Sequence, residues 1–315
     1  MFALISNIFG YLLNFLYELL NNYGFAIILF SILLRIILLP VTIKQQKSVQ
    51  KTSKIQGQLK SLQLKYKNNP EMLNKETMEL YKREKISPFS GCLSAIVQLI
   101  IILSVFYLVS QPLTYMKKAN DGNPELKAVV EQYKNEISES NNNKTRYIEI
   151  ATIARMRDDY NNINEKLKND ENLENEENRA ELEKRRDNLE KLNINMDFLT
   201  LDLSKVPNEN MKDIKVYIIP LLYVISSFIS IKLTTSLQNG RKSKKEDKAK
   251  DENEVDTMAQ MNKSMQYIMP IMTVSIAFIA PLGLALYWFV SNVLMIIERI
   301  VITKIMDNKE DEQNV

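Results

Sequence analysis

Histidine is absent from this 315-residue chain, and cysteine occurs once, at Cys92. Together these absences exclude a disulfide framework, a His- or Cys-based metal cluster and any histidine triad. No metal and no cofactor is expected. Cys92 stands in "PFSGC", which faintly resembles a lipoprotein cleavage site, but it lies mid-chain and reads as an ordinary small residue. Cationic residues are also missing before Arg35. The apolar stretch "FALISNIFGYLLNFLYELL" (2–20) therefore has no signal-peptide n-region, and Glu18 interrupts it. Nor is there an Arg-rich, acid-poor leader of the kind that directs import into organelles.

What the chain does have is segregated. Hydrophobic residues make up 45% and charged residues 25%, yet long apolar runs alternate with segments of Lys, Glu and Asn. That is the pattern of a helical membrane protein with polar loops. In residues 1–22, Asn7, Tyr11, Asn14 and Glu18 recur at three- and four-residue steps, with Phe2, Ile5, Phe9, Leu13, Leu16 and Leu20 on other faces. An interfacial amphipathic helix is expected there, not a spanning one. Five spans follow: 23–43, 91–112, 216–236, 264–281 and 283–304. Each is about 20 residues long, enough to cross a hydrocarbon core about 30 Å thick. Only Pro281-Leu282-Gly283 separates the last two, so they pair as a hairpin.

Lys and Arg set the orientation. Between the first two spans, residues 44–85 hold eleven cationic side chains against four glutamates, a net charge of +7. Between spans three and four lies a basic loop, 237–263, carrying "GRKSKKEDKAK". Both loops belong in the cytoplasm. The N-terminus is then outside and the C-terminus inside, as a multi-pass protein of a bacterial plasma membrane. Residues 44–88 read as an antiparallel helical hairpin, a short coiled coil. Val49, Ile55, Leu59, Leu62 and Tyr66 stripe one helix; Met72, Leu73, Met78 and Tyr81 stripe the other. Asn69 and Pro70 cap the second. The extracytoplasmic loop 113–215 includes a charged stretch, 164–192, that is helical where Leu167, Leu182, Leu189 and Leu192 find partners, between mobile Asn-rich pieces. In the acidic cytoplasmic tail, 305–315, the stretch "DNKEDEQNV" (307–315) is expected to be disordered.

One residue breaks the first span, "FAIILFSILLRIILLPVTIKQQ" (25–46): Arg35. Lys44, at the cytoplasmic edge, is nine residues and about 13 Å of helix away. A guanidinium at mid-span costs about 2.5–3.5 kcal/mol on insertion scales. Three readings stand side by side. The side chain snorkels to the headgroups; it pairs with Glu298 in span five; or it lines a wet cavity. Polar residues in the other spans favour the third: Gln98, then Ser226, Ser227 and Ser230, then Tyr287, Ser291 and Asn292. Trp288 reads as an interfacial belt aromatic or as cavity lining.

Several stretches resemble the YidC/Oxa/Alb membrane-protein insertases. "YGFAIILFSILLRIILLPVTIKQQKSVQK" is similar to their first shared span. "KIQGQLKSLQLKYKNNPEMLNKETMELYKREKISPFSGCL" is similar to their cytoplasmic hairpin, "MDFLTLDLSKVP" to the strip before span three, and "IMPIM…PLGLALYWFVSNVLMIIE" to their last two spans. The likeness covers nearly everything except about 116–195. It implies five core helices around a hydrophilic groove, with Arg35 as its charge and Gln98, Ser227, Ser230, Tyr287, Trp288, Ser291 and Asn292 as its lining. It also implies a chaperone that passes short hydrophilic tails through water while apolar segments leave into lipid, with no bond made and no catalytic residue. Expected partners are nascent membrane proteins, the Sec translocon, the ribosome and bilayer lipid, but not DNA. The chain departs from relatives at Ser230 (Gln in some), Ile100 (Pro), "PLG" (usually "PAG"), the outer insertion and the acidic tail. The Lys-rich hairpin is then the expected contact for rRNA or anionic lipid. Two other functions fit the same spans. One is a membrane anchor or scaffold; the other is a small transporter with Arg35 as an anion site, against which stands the lack of any inverted repeat.

Overall fold

The computed structural model describes residues 2–85, 90–117, 123–140, 146–169, 176–240 and 275–313. The basic loop, most of the fourth span and the Asn-rich stretches 141–145 and 170–175 lie outside the described residues.

The protein is mostly helical. Among the described residues, four helical stretches are long and apolar enough to cross a membrane: Phe2–Leu20, Tyr23–Ser48, Ile214–Leu233 and Leu282–Ile305; Leu99–Ser110 is a shorter apolar one. Helix α1 (Phe2–Leu20) packs on α2 (Tyr23–Lys54) and on α5 (Ser90–Ser110). It does so with one narrow face. Ser6, Gly10, Leu13 and Tyr17 are buried at four-, three- and four-residue steps, and the Ser6 hydroxyl donates to the Ser104 carbonyl at 2.9 Å. At Gly10 there is no space for even a methyl group, since a Cβ would strike the Tyr115 carbonyl. The opposite stripe, Leu4, Ile8, Tyr11, Phe15 and Leu19, is exposed. So α1 is not simply apolar below and polar above; it buries one face in protein and presents a second apolar face outward.

Helix α2 differs from the expected division at residue 43. It runs unbroken from Tyr23 to Lys54, past Pro40. Residues 41–54 contain neither Gly nor Pro and are rich in Lys and Gln, good helix formers, so the helix propagates until Ile55 leaves it. Then α3 (Gln56–Lys65) and α4 (Pro70–Arg83) pack side by side, with Arg83 at the end of one bonded to Gln58 at the start of the other. Asn69 caps α4 by accepting from the Met72 amide. The contact between the pair is Ile55 on Leu80, bordered by Leu59, Leu62 and Tyr81. Leu80 is the buried residue of α4, while Met72 and Met78 are exposed. The expected stripe was displaced because four near-equivalent apolar residues do not by spacing alone reveal which one meets Ile55.

Beyond the short α6 (Pro112–Tyr115) stand three further helices, α7 (Pro124–Ser140), α8 (Ile148–Asn169) and α9 (Glu176–Leu192). Their interior holds Val130, Tyr133, Ile153, Met156, Leu189 and Leu192. Tyr133 donates to Asp159, and Arg185 donates to both, so one knot joins all three helices. Buried Glu149 accepts from Lys134 and from the Thr114 amide and hydroxyl, tying α7 and α8 to α6.

A two-stranded hairpin, β1 (Asp197–Phe198) and β2 (Leu201–Asp202), connects this module to the apolar helices. Phe198 packs edge-on against Phe25 and fills the space that Gly24 leaves open. After the 3-10 turn Ile214–Tyr217 comes α10 (Ile218–Gly240); the last helix, α11, is Leu282–Gln313. The first amides of α11 would be orphans, but Leu282 and Gly283 donate to the carbonyls of Lys205 and Leu203. The hairpin therefore sets where α11 begins. The expected disordered tail is helical through Gln313, since "DNKEDEQ" has no Gly or Pro to stop propagation.

Candidate functional site

Helices α2, α10 and α11 pack together, and their exposed faces are apolar. Ile36, Ile37 and Val41 on α2, Leu222, Ile225, Phe228 and Ile229 on α10, and Ile297, Val301 and Ile305 on α11 point outward. Polar residues point inward. This inversion suits hydrocarbon outside, where an apolar surface has no cost and a polar one does.

Two polar clusters occupy the interior. In the first, Asn292 of α11 donates to the hydroxyls of Ser226 (3.0 Å) and Ser227 (3.1 Å) on α10, and Ser226 donates on to the Tyr223 carbonyl. Ser230 lies one turn further along the same buried face. In the second cluster, Arg35 reaches α11. Its Nη2 donates to the Ser291 carbonyl at 3.0 Å, and its Nη1 lies 3.6 Å from Glu298 Oε2. Ser291 and Glu298 are seven residues, two turns, apart and so share a face. Helical side chains lean toward the N-terminus, which brings the Glu298 carboxylate back to the guanidinium. Tyr287, one turn before Ser291, is buried on that face and neighbours the Ser291 side chain.

Of the sequence-expected residues, Arg35, Tyr287 and Ser291 come together on the α2–α11 seam; Ser227, Ser230 and Asn292 form the α10–α11 seam. Trp288 is buried with its ring 6.3 Å from that of Tyr223, so it packs between helices rather than standing in an interfacial belt. A belt position requires an exposed ring; here the four-residue step to Asn292 turns Trp288 toward α10. The side chain of Gln98 lies outside the described residues. Ser226, expected as one of the polar span residues, and Glu298, expected as the ion-pair candidate for Arg35, both lie at these seams, although the family resemblance did not assign either to the lining. Each carried a signal: Ser226 adjoins Ser227, and Glu298 is acidic within an apolar run. Of the three readings of Arg35, the geometry realises the ion pair, with the guanidinium side chain 20% exposed and the Glu298 side chain 8% exposed. A cavity of about 320 Å³ lies elsewhere, beside the β-hairpin, lined by Asp197, Thr200, Lys205, Asp213 and Lys215 among others. Lys205 and Asp213 pair across it at 2.8 Å.

The model of the 60Kd inner membrane protein family matches residues 15–123 and 184–310 of this chain. The chain belongs to that family, the YidC/Oxa/Alb insertase family. Both polar seams fall within the matched segments, whereas α7, α8 and the start of α9 fall in the gap between them. Among curated relatives, the membrane protein insertase YidC of Fusobacterium nucleatum is 42% identical over 105 residues, 33% of this chain and 51% of that protein. The YidC of Caldanaerobacter subterraneus is 42% identical over 107 residues, 34% and 52% of the two chains. That of Clostridium perfringens is 45% identical over 87 residues, 28% and 37%. The matched part of this chain thus spans about half the length of the first two relatives. Family membership and the apolar helices make this a multi-pass membrane protein.

Proposed function

We propose that this protein is a membrane-protein insertase and chaperone. In this reading α2, α5, α10, α11 and the segment 264–281 are the five spans, and α3 with α4 is a cytoplasmic hairpin. The N-terminus is outside a bacterial plasma membrane, α1 lies at the outer interface, and the C-terminus is inside. Arg35, with Gln98, Ser227, Ser230, Tyr287, Trp288, Ser291 and Asn292, provides the polar path for a client's short hydrophilic segment. The apolar segment of the client leaves sideways into lipid. The observation that carries this reading is a guanidinium held among apolar helices, its partners among the described residues being one backbone carbonyl and a carboxylate 3.6 Å away. That environment is costly to build and leaves the cation able to take another anion. Donors already inside the membrane lower the cost of moving a polar tail across it. Nascent membrane proteins are the clients; the Sec translocon and the ribosome are proposed partners, the latter through the Lys-rich hairpin.

The test is insertion of single- and double-span clients by protein carrying Arg35→Ala or Arg35→Lys. Alanine is expected to impair clients with acidic outer tails most. Full insertion of every client by both variants would rule out the charge mechanism. The Arg35–Glu298 contact also favours a second reading, a membrane anchor in which the pair is only a strut. That reading predicts that the inward-facing serines and Asn292 can become Leu without loss of insertion, provided α3, α4 and the outer helices are kept.

A further inference from the structure

Glu298 is anomalous for a buried acid. Its side chain is 8% exposed, and among the described residues neither carboxylate oxygen has a hydrogen-bond partner. Its contact with Arg35, at 3.6 Å, is beyond hydrogen-bonding distance. Two carboxylates elsewhere, buried Glu149 and half-buried Asp202, are treated differently. Glu149, similarly buried, accepts three hydrogen bonds, from the Thr114 amide and hydroxyl and from Lys134. Asp202 accepts from Arg157 at 2.8 Å and from the Ser204 amide and hydroxyl. A strut would resemble these, because a buried pair is worth having only when hydrogen bonds satisfy it. Meanwhile, among the described residues, Arg35 donates its 3.0 Å hydrogen bond to a helical carbonyl and not to the acid.

From this contrast we infer that Glu298 is an internal counter-ion that sets client selectivity by competing with the client's acidic residues for Arg35. This inference rests on the insertase reading and refines it. At rest the carboxylate neutralises the guanidinium through a loose, replaceable contact. A client carboxylate that enters the seam can reach the guanidinium closely and form the charge-assisted hydrogen bonds that Glu298 does not. Clients without an acid near the membrane gain nothing from the exchange. Glu298 therefore raises the threshold at which a tail is accepted. Arg299, the next residue, also acts on Glu298 electrostatically, so the test must separate the two cations.

The experiment uses the full chain in proteoliposomes and two clients that differ only in whether the translocated tail carries Asp or Asn. The readout is the ratio of acidic-tail to neutral-tail insertion. Glu298→Gln is expected to raise the ratio, on the order of tenfold if the relieved competition equals one decade of affinity. Arg35→Ala lowers it, and the double variant behaves as Arg35→Ala alone. If Arg35→Ala lowers the ratio but Glu298→Gln leaves it unchanged or lowers it, Glu298 is a strut and the inference falls while the insertase reading survives. A gain that persists in the double variant assigns the effect to Arg299 and overturns it too. If Arg35→Ala changes neither client, the groove-charge reading itself fails. Should Glu298→Gln not accumulate in the membrane, Glu298→Asp draws the carboxylate back by one methylene; it is expected to shift the ratio in the same direction, and an unchanged ratio overturns the inference.

Discussion

The apolar helices and the outer three-helix module solve the same packing problem with opposite surfaces. In α7–α9 the apolar side chains are inside, Tyr133, Ile153, Met156 and Leu189 among them, and charges such as Lys184, Glu125 and Arg186 are outside. In α2, α10 and α11 the large aliphatics are outside while Arg35, Ser226, Ser227, Asn292 and Glu298 are inside. Each arrangement matches its solvent. The two Arg–carboxylate pairs sharpen the contrast. Arg157–Asp202, at 2.8 Å and supported by Ser204, fastens α8 to the hairpin that seats α11. Arg35–Glu298 is longer and has no such support. One is fitted for holding, and the other for exchange.

The contrast can be broken most severely in the membrane region. Removing Arg35 alone takes the 3.6 Å counter-charge from buried Glu298 and leaves only the field of Arg299, a loss of up to about 3–5 kcal/mol. Thermal unfolding in detergent should show a large drop for Arg35→Ala and substantial recovery in Arg35→Ala with Glu298→Gln. No recovery would mean that Glu298 is not the group left stranded. Next in size is Gly10→Ala. Its methyl meets the Tyr115 backbone, so α1 must move off α6, an overpacking cost of about 1–3 kcal/mol. Unfolding measurements should show it, whereas Ala at the exposed Ile8 should be close to neutral.

Arg157→Ala is expected to cost roughly 1–3 kcal/mol by leaving Asp202 without its main donor. Its signature is faster hydrogen exchange at the Leu203 and Gly283 amides, which depend on the hairpin. Acidification gives a smaller effect on the same contact. Burial would raise the Asp202 carboxyl, but Arg157 and Ser204 outweigh it and hold the group below the usual carboxylate range. A group depressed in the folded state stabilises above its unfolded pKa, and that stabilisation is lost as pH falls through the folded value. The hairpin should therefore loosen only below about pH 4, and Asp202→Asn should flatten that dependence. Smallest of all, Lys184→Ala on the outside of α9 should not shift unfolding detectably, because the Lys184–Glu125 pair is exposed and screened.

Much of this architecture can be read from the chain before any coordinates. Apolar runs mark α1, α2, α5, α10 and α11, and Asn69-Pro70 marks the start of α4, because length, apolarity and capping are local properties. The inward-facing serines and Asn292 could likewise be picked out as polar interruptions. What was hidden depends on partners far away in the chain. Nothing near Ile55 identifies Leu80 as its contact, and the change from apolar to polar residues near 43 masks the continuation of α2 to Lys54 that the helix formers of 41–54 allow. The 197–202 hairpin is too short to show alternation, and its Leu199 takes a positive φ of 56° that composition does not announce. Glu298 was visible as an acid in an apolar run, but its missing hydrogen bonds were not.

The central claim is that Arg35 offers a polar contact to an arriving chain within the membrane. A photo-crosslinking residue in place of Ser291, whose backbone carbonyl still receives Arg35, tests it during insertion of a stalled nascent client with an acidic tail. The account predicts a crosslink to that tail, strongly reduced when Arg35 is also replaced by alanine. Crosslinks to lipid alone, or a nascent-chain crosslink indifferent to Arg35, would contradict it.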